Sequence, residues 1–122
     1  MLKFDHLALP VADPAASRDW YVGVLGMEVE FEIPERRSVA VRDRFDFTVF
    51  LTGAAPPPQP AGIALWFQVA DVDAAHTDLA RRGVAFRHPP KRTFWGYGAE
   101  LADPDGYLIR LWDETSMQAK GR

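Results

Sequence analysis

The sequence predicts an α+β fold made of two βαβββ modules in tandem, and three observations carry that prediction. A strand-to-helix junction occurs twice: H-L-A-L-P-V-A-D-P-A-A from His6 lines up with A-L-W-F-Q-V-A-D-V-D-A from Ala64, with V-A-D shared. Each copy is followed by three short runs rich in strand-forming residues. A proline-rich stretch separates the copies. With 122 residues, 48% of them hydrophobic and 25% charged, the chain has an ordinary globular composition and room for one domain or two very small ones.

Taken in order, Lys3 to Val11 alternates Leu7, Leu9 and Val11 against smaller or polar neighbours, the period of a half-buried strand. Asp13 then supplies an N-cap and Pro14 a first helical residue. Ala16, Trp20, Tyr21, Val24 and Leu25 recur at helical spacing until Gly26 stops the helix. Met27 to Ile33, Arg37 to Val41 and Phe47 to Leu51 read as three strands, broken by Pro34-Glu35 and Asp43-Arg44. Ala54 to Gly62 holds four prolines, which remove donors and fix φ, so it is neither helix nor central strand. Beyond it, Ile63 to Val69 is a strand, and Asp71 caps a helix with Val72, Ala75 and Leu79 on one stripe, stopped at Gly83. Val84 to Arg87, Thr93 to Leu101 and Tyr107 to Trp112 are the last three strands, with the turn Asp103-Pro104-Asp105-Gly106 before the final one. The expected organisation is a single domain over residues 1–122: modules 3–52 and 62–113, a linker at 53–61, and a polar tail at 114–122 that frays from Met117.

Several function classes drop out on composition. Fourteen Lys and Arg against seventeen Asp and Glu leave a net charge of −3, without the basic face that a phosphate backbone requires, so no nucleic-acid partner is expected. The absence of Cys excludes disulfides, thiolate metal sites and a cysteine nucleophile. No run approaches the length of a membrane span, and the start of the chain lacks the apolar run of a signal peptide. The expectation is a cytoplasmic protein with no membrane partner. His76 and His88 fall in no H-x-x-x-H or H-E-x-x-H spacing and read as solvated or capping residues. The five cations between Arg81 and Arg92 read first as helix-end charges complementing the dipole. Neither Ser17 nor Ser38 has a local base, and Asp103 and Asp105 read as turn formers that bond their own backbone.

Strand parity points to a site. One parity is uniformly apolar: Leu7, Leu9, Val11, Val49, Leu51, Leu65, Phe67, Val69, Ile109 and Leu111, the face that takes the helices. The other holds His6, Ala8, Thr48, Phe50, Ala64, Trp66, Gln68, Leu108, Arg110 and Trp112. Aromatic rings mixed with a few polar groups suit the wall of a ligand groove better than a second core. No acid shares that parity in these four strands, so Arg110 reads as a cation awaiting an anionic ligand, although Glu100 on the neighbouring strand can approach it.

The paired modules, the V-x-D-x-x-A junctions and the closing run from Trp95-Gly96 through Asp103-Pro104-Asp105-Gly106 to Ile109-Arg110-Leu111 resemble the vicinal oxygen chelate superfamily: glyoxalase I, extradiol dioxygenases, and fosfomycin- and bleomycin-resistance proteins. The resemblance covers residues 3 to 113. It implies sheets curved around a concave groove with helices outside, and a homodimer. It also implies metal ligands at the positions of His6, Phe50, Ala64 and Arg110. Only His6 can ligate, and Arg110 stands where the superfamily carries glutamate, so no metal and no cofactor are expected. The implied function is that of the bleomycin-resistance type: metal-free sequestration of a small planar compound, with an anionic one left open, through His6, Thr48, Phe50, Trp66, Gln68, Arg110 and Trp112. No catalytic residue is assigned. The alternative is a lyase, isomerase or dioxygenase on the same scaffold.

Overall fold

The computed structural model describes residues 1–121 in two compact units that meet between Gln59 and Pro60. In the first, β1 (His6–Val11) leads into α1 (Pro14–Gly23), then β2 (Glu28–Ile33), β3 (Ser38–Arg42) and β4 (Thr48–Gly53). The second repeats the plan with β5 (Ala64–Gln68), α2 (Val72–Arg81), β6 (His88–Thr93), β7 (Gly96–Ala102) and β8 (Leu108–Trp112), and adds α3 (Glu114–Lys120). Each unit is a four-stranded mixed sheet, ordered β1-β4-β3-β2 and β5-β8-β7-β6, whose leading strand runs parallel to its closing strand while the other pairs are antiparallel. The fold is therefore the expected tandem α+β arrangement. Among the described residues no helix is long and apolar enough to cross a membrane.

Each core lies between a sheet and its helices. In the first unit Leu9, Val11, Val39, Val41, Val49 and Leu51 are buried, and α1 covers them with Tyr21 and Ser17, whereas Leu7, expected on the same face, is 36% exposed. Ala16, expected on the packed stripe, is exposed, because Ser17 and Tyr21 define the inward face. In the second unit Leu65, Leu101, Ile109 and Leu111 lie under Val72 and Leu79 of α2. The caps are those anticipated: the Asp13 carboxylate accepts from Ala15 and Ala16 N–H, and that of Asp71 from Ala74 N–H. Asp103 Oδ1 accepts from Asp105 and Tyr107 N–H, so this carboxylate does organise its own turn.

Two strand expectations are corrected. Residues 84–87 form no strand; β6 begins at His88 and includes Pro89 and Pro90. Proline is tolerated because β6 is an edge strand, and the ladder shifts register between His88 and Lys91, where the prolines sit. Nor is Thr93 to Leu101 one strand, since Phe94 and Trp95 turn the chain and Thr93 pairs with Gly96 across a hairpin. The polar tail is also ordered through Lys120, as α3, with Asp113 as its N-cap. Arg122, the last residue of that expected tail, lies outside the described residues.

Candidate functional site

The second sheet carries a continuous row of functional side chains on the face turned away from its helices. Cross-strand register sets Trp66 of β5 beside Arg110 of β8, Arg110 beside Glu100 of β7, and Glu100 beside His88 of β6. Glu100 Oε1 accepts from Arg110 Nε–H and from the Trp95 indole N–H, both at 2.9 Å, and Glu100 Oε2 lies 3.7 Å from His88 Nε2. The guanidinium carbon of Arg110 sits 5.3 Å from the ring centroids of Trp66 and Trp95 and 5.5 Å from that of Phe94, within cation–π range. Trp66 and Trp95 meet edge to face at 4.9 Å.

Burial separates the working surface from its support. The Arg110 and Glu100 side chains are 15% and 12% exposed, whereas Trp66 is 46% exposed. Burial pushes the Glu100 carboxyl up, but hydrogen bonds from Arg110 and Trp95 and the charges of Arg110 and His88 outweigh it and hold Glu100 below the ordinary carboxylate range. Gly98 makes the arrangement possible, because a Cβ there would meet the Trp95 ring at 2.6 Å and collide with the Leu111 carbonyl oxygen. Gln68 and Trp112 form the next register pair, Gln68 exposed and Trp112 half-buried.

The expectation of an Arg110 without a carboxylate partner is thus corrected. Glu100 belongs to a strand outside the parity comparison, yet register places it directly opposite. His88 is corrected as well: it is neither solvated nor capping but a β6 residue 15% exposed beside Glu100, with Nδ1 2.8 Å from the Pro89 carbonyl oxygen. His76 likewise packs edge-on against Phe86 at 4.6 Å.

The equivalent row of the first sheet is Ala8, Phe50, Ala40 and Phe31, which is uncharged. His6 stacks on Phe50 at 4.0 Å, and Phe31 meets Phe50 edge to face at 5.5 Å. A β-bulge between Val29 and Phe31 brings Glu30 onto the same side, where its Oε2 accepts from the Thr48 hydroxyl at 2.9 Å. His6 Nδ1 lies 2.8 Å from Asp5 Oδ2. An open groove of about 270 Å³ has Thr48, Phe50, Glu30, Phe31 and Asp5 in its lining. The structure therefore brings His6, Thr48 and Phe50 together on one sheet and Trp66, Arg110, Gln68 and Trp112 on the other. Strict alternation could not have found Glu30, because the bulge interrupts the period.

The metal positions implied by the resemblance do not fit an ion. Phe50 and Ala64 have no donor atom, the Arg110 cation is bonded to Glu100, and His6 is the one remaining donor. Among the described residues no three His, Asp or Glu side chains are grouped to hold a metal.

The sequence profile of the glyoxalase/bleomycin resistance protein/dioxygenase superfamily matches residues 3–111. The chain belongs to this superfamily. Solved structures of similar fold include an antibiotic-binding protein from Streptomyces sp. CB03234, at 29% identity and TM-score 0.76 over 93% of this chain and 96% of that one. A superfamily member from Sphaerobacter thermophilus shares 31% identity at TM-score 0.75, covering 93% and 99%. The bleomycin-binding protein of Streptomyces verticillus, solved with copper(II)-bleomycin, shares the fold at 23% identity and TM-score 0.73, covering 93% and 99%. No curated protein matches the chain significantly. The superfamily includes ligand-binding proteins as well as enzymes, so the donor set and the exposed aromatic surfaces, not the fold, distinguish the chemistry open to this member.

Proposed function

We propose that this superfamily member binds a small planar organic compound in the cytoplasm, without a metal ion, and leaves it chemically unchanged. The observation that carries the reading is the exposed indole of Trp66 at the end of the Trp66–Arg110–Glu100–His88 row. It is a flat apolar platform braced by Trp95 and adjoining a guanidinium that has used only its Nε–H on Glu100. A ring stacks on the indole while an acceptor oxygen meets the remaining N–H donors. His6, Phe50 and Thr48 offer the second aromatic surface, and Gln68 and Trp112 extend the first. The antibiotic-binding relative at 29% identity supports a binding role. The lyase, isomerase or dioxygenase alternative lacks a donor set for a metal at the positions where its superfamily relatives would hold one.

The test is titration of the purified protein with planar aromatic compounds, read by quenching of tryptophan fluorescence, with mass spectrometry of the compound before and after incubation. Covering roughly 100 Å² of exposed indole contributes about 2–3 kcal/mol, so Trp66→Ala weakens binding about 30- to 150-fold. Arg110→Ala weakens it as well, and His6→Ala less. Unaltered affinity in Trp66→Ala refutes this site, and conversion of the compound refutes sequestration. Stoichiometric zinc, iron, manganese or nickel that disappears in His6→Ala refutes the metal-free reading. We also propose a homodimer, the commonest soluble assembly; a monomer in sedimentation at tens of micromolar counts against it.

A further inference from the structure

Resting on that reading, we infer that Glu100 sets the charge class of the ligand at the second sheet: an uncharged planar compound with a carbonyl-type oxygen is accepted, and its carboxylate counterpart is refused. The Glu100 side chain does not serve the core. Its neighbours Ala99 and Leu101 are fully buried on the helix-facing side, so Glu100 projects to the opposite face with Arg110 and Trp66. There one oxygen, Oε1, holds two groups at once, Arg110 Nε–H and the Trp95 indole N–H, each at 2.9 Å. This fixes the guanidinium plane and the Trp95 ring relative to the exposed face of Trp66.

The same contact offsets the charge that an anion would seek. Arg110 and Glu100 are both largely withdrawn from water, so solvent screens their fields weakly. A carbonyl oxygen approaching the terminal guanidinium nitrogens gains charge-assisted hydrogen bonds and brings little charge of its own. A carboxylate in the same place meets a cation whose field is largely cancelled by Glu100 just behind it. It loses its hydration shell without full compensation. The Ala8–Phe50–Ala40–Phe31 row of the first sheet contains no such ion pair.

The experiment uses the full-length protein and matched pairs of naphthalene and anthracene carboxamides and carboxylates, titrated at pH 7.5 by tryptophan quenching. Wild type is expected to bind each amide about tenfold or more tightly than its carboxylate, the scale of one uncompensated charge contact. Glu100→Gln preserves size and an acceptor oxygen but removes the charge. It should raise carboxylate affinity about tenfold relative to amide affinity. Arg110→Gln removes the cation and leaves Glu100, so the preference for amide should grow. A purely structural role would move both members of each pair alike in both variants. Wild type that binds carboxylates as well as amides, or a ratio that shifts in the same direction in the two variants, overturns the inference and leaves the binding proposal standing. Absence of quenching by every compound overturns both.

Discussion

Replacing Asp113 with alanine should remove the pin that ties two helices of the second unit together. Asp113 is 2% exposed. Its Oδ1 accepts from Ser116 N–H at 2.6 Å, capping α3, while Oδ2 accepts from the Ser116 hydroxyl at 2.9 Å and from Val72 N–H at 2.7 Å, at the first residue of α2. Loss of the α3 cap costs about 1 kcal/mol, since Ser116 is half-exposed and water can replace the bond. Val72 is fully buried, so its N–H is left without a partner at a cost of about 1–3 kcal/mol. Together these give about 2–4 kcal/mol. For 122 residues the unfolding entropy is about 0.26 kcal/mol/K, so Tm should fall by about 8–15 °C at neutral pH in calorimetry or circular dichroism. Burial raises the Asp113 carboxyl, but hydrogen bonds from Ser116 and Val72 and the Lys120 charge bring it below its ordinary value. Its stabilisation is therefore present above the unfolded carboxyl range and lost as pH falls through the lower folded value. The gap between wild type and Asp113→Ala should narrow on acidification. A Tm loss under about 2 °C, or a gap that widens in acid, would refute the reasoning.

Three further outcomes follow from the site. Gly98→Ala must displace the Trp95 ring or the β8 backbone, costing about 1–3 kcal/mol and altering the tryptophan emission; a variant with wild-type Tm and spectrum counts against the packing described. Because Glu100 also titrates below its ordinary range when folded, its contribution to stability should be present above the unfolded carboxyl value and lost as pH falls through the lower folded one, and Glu100→Gln should make that acid limb shallower; identical acid limbs in denaturant titrations refute the assignment. Thr48→Val removes the hydroxyl donated to Glu30 but keeps the shape of a strand residue, so it should lower stability by about 1 kcal/mol or less while leaving binding at the second sheet unchanged.

The two halves of the candidate site were legible to different degrees. Trp66, Gln68, Arg110 and Trp112 share a face because β5 and β8 are regular, and a period of two is visible in any uninterrupted strand. His88 escaped because two prolines beside it argue against a strand, an argument that holds only for strands paired on both sides. Trp95 escaped because a hairpin divides what reads as one strand. Glu30 and Phe31 are consecutive, so alternation assigns them to opposite faces, and a bulge overrides that assignment.

What the sequence determined by itself is whatever depends on near neighbours along the chain: the repeated βαβββ plan, the Asp13 and Asp71 caps, the Asp103 turn, the buried parity of the regular strands, and the poverty of metal donors at the superfamily positions. Tertiary structure decided what depends on pairing between distant segments. Strand register put Glu100 opposite Arg110, so a cation expected to await an anion is already matched by a carboxylate. Docking of Asp113 onto the N-terminus of α2, 41 residues away in sequence, ties down the segment that reads as a frayed tail. The physical reason is the same in both cases. Capping and periodicity act over one helical turn or one strand pleat, whereas the partner of a buried charge is chosen by whichever strand lies alongside, and composition carries no record of that choice.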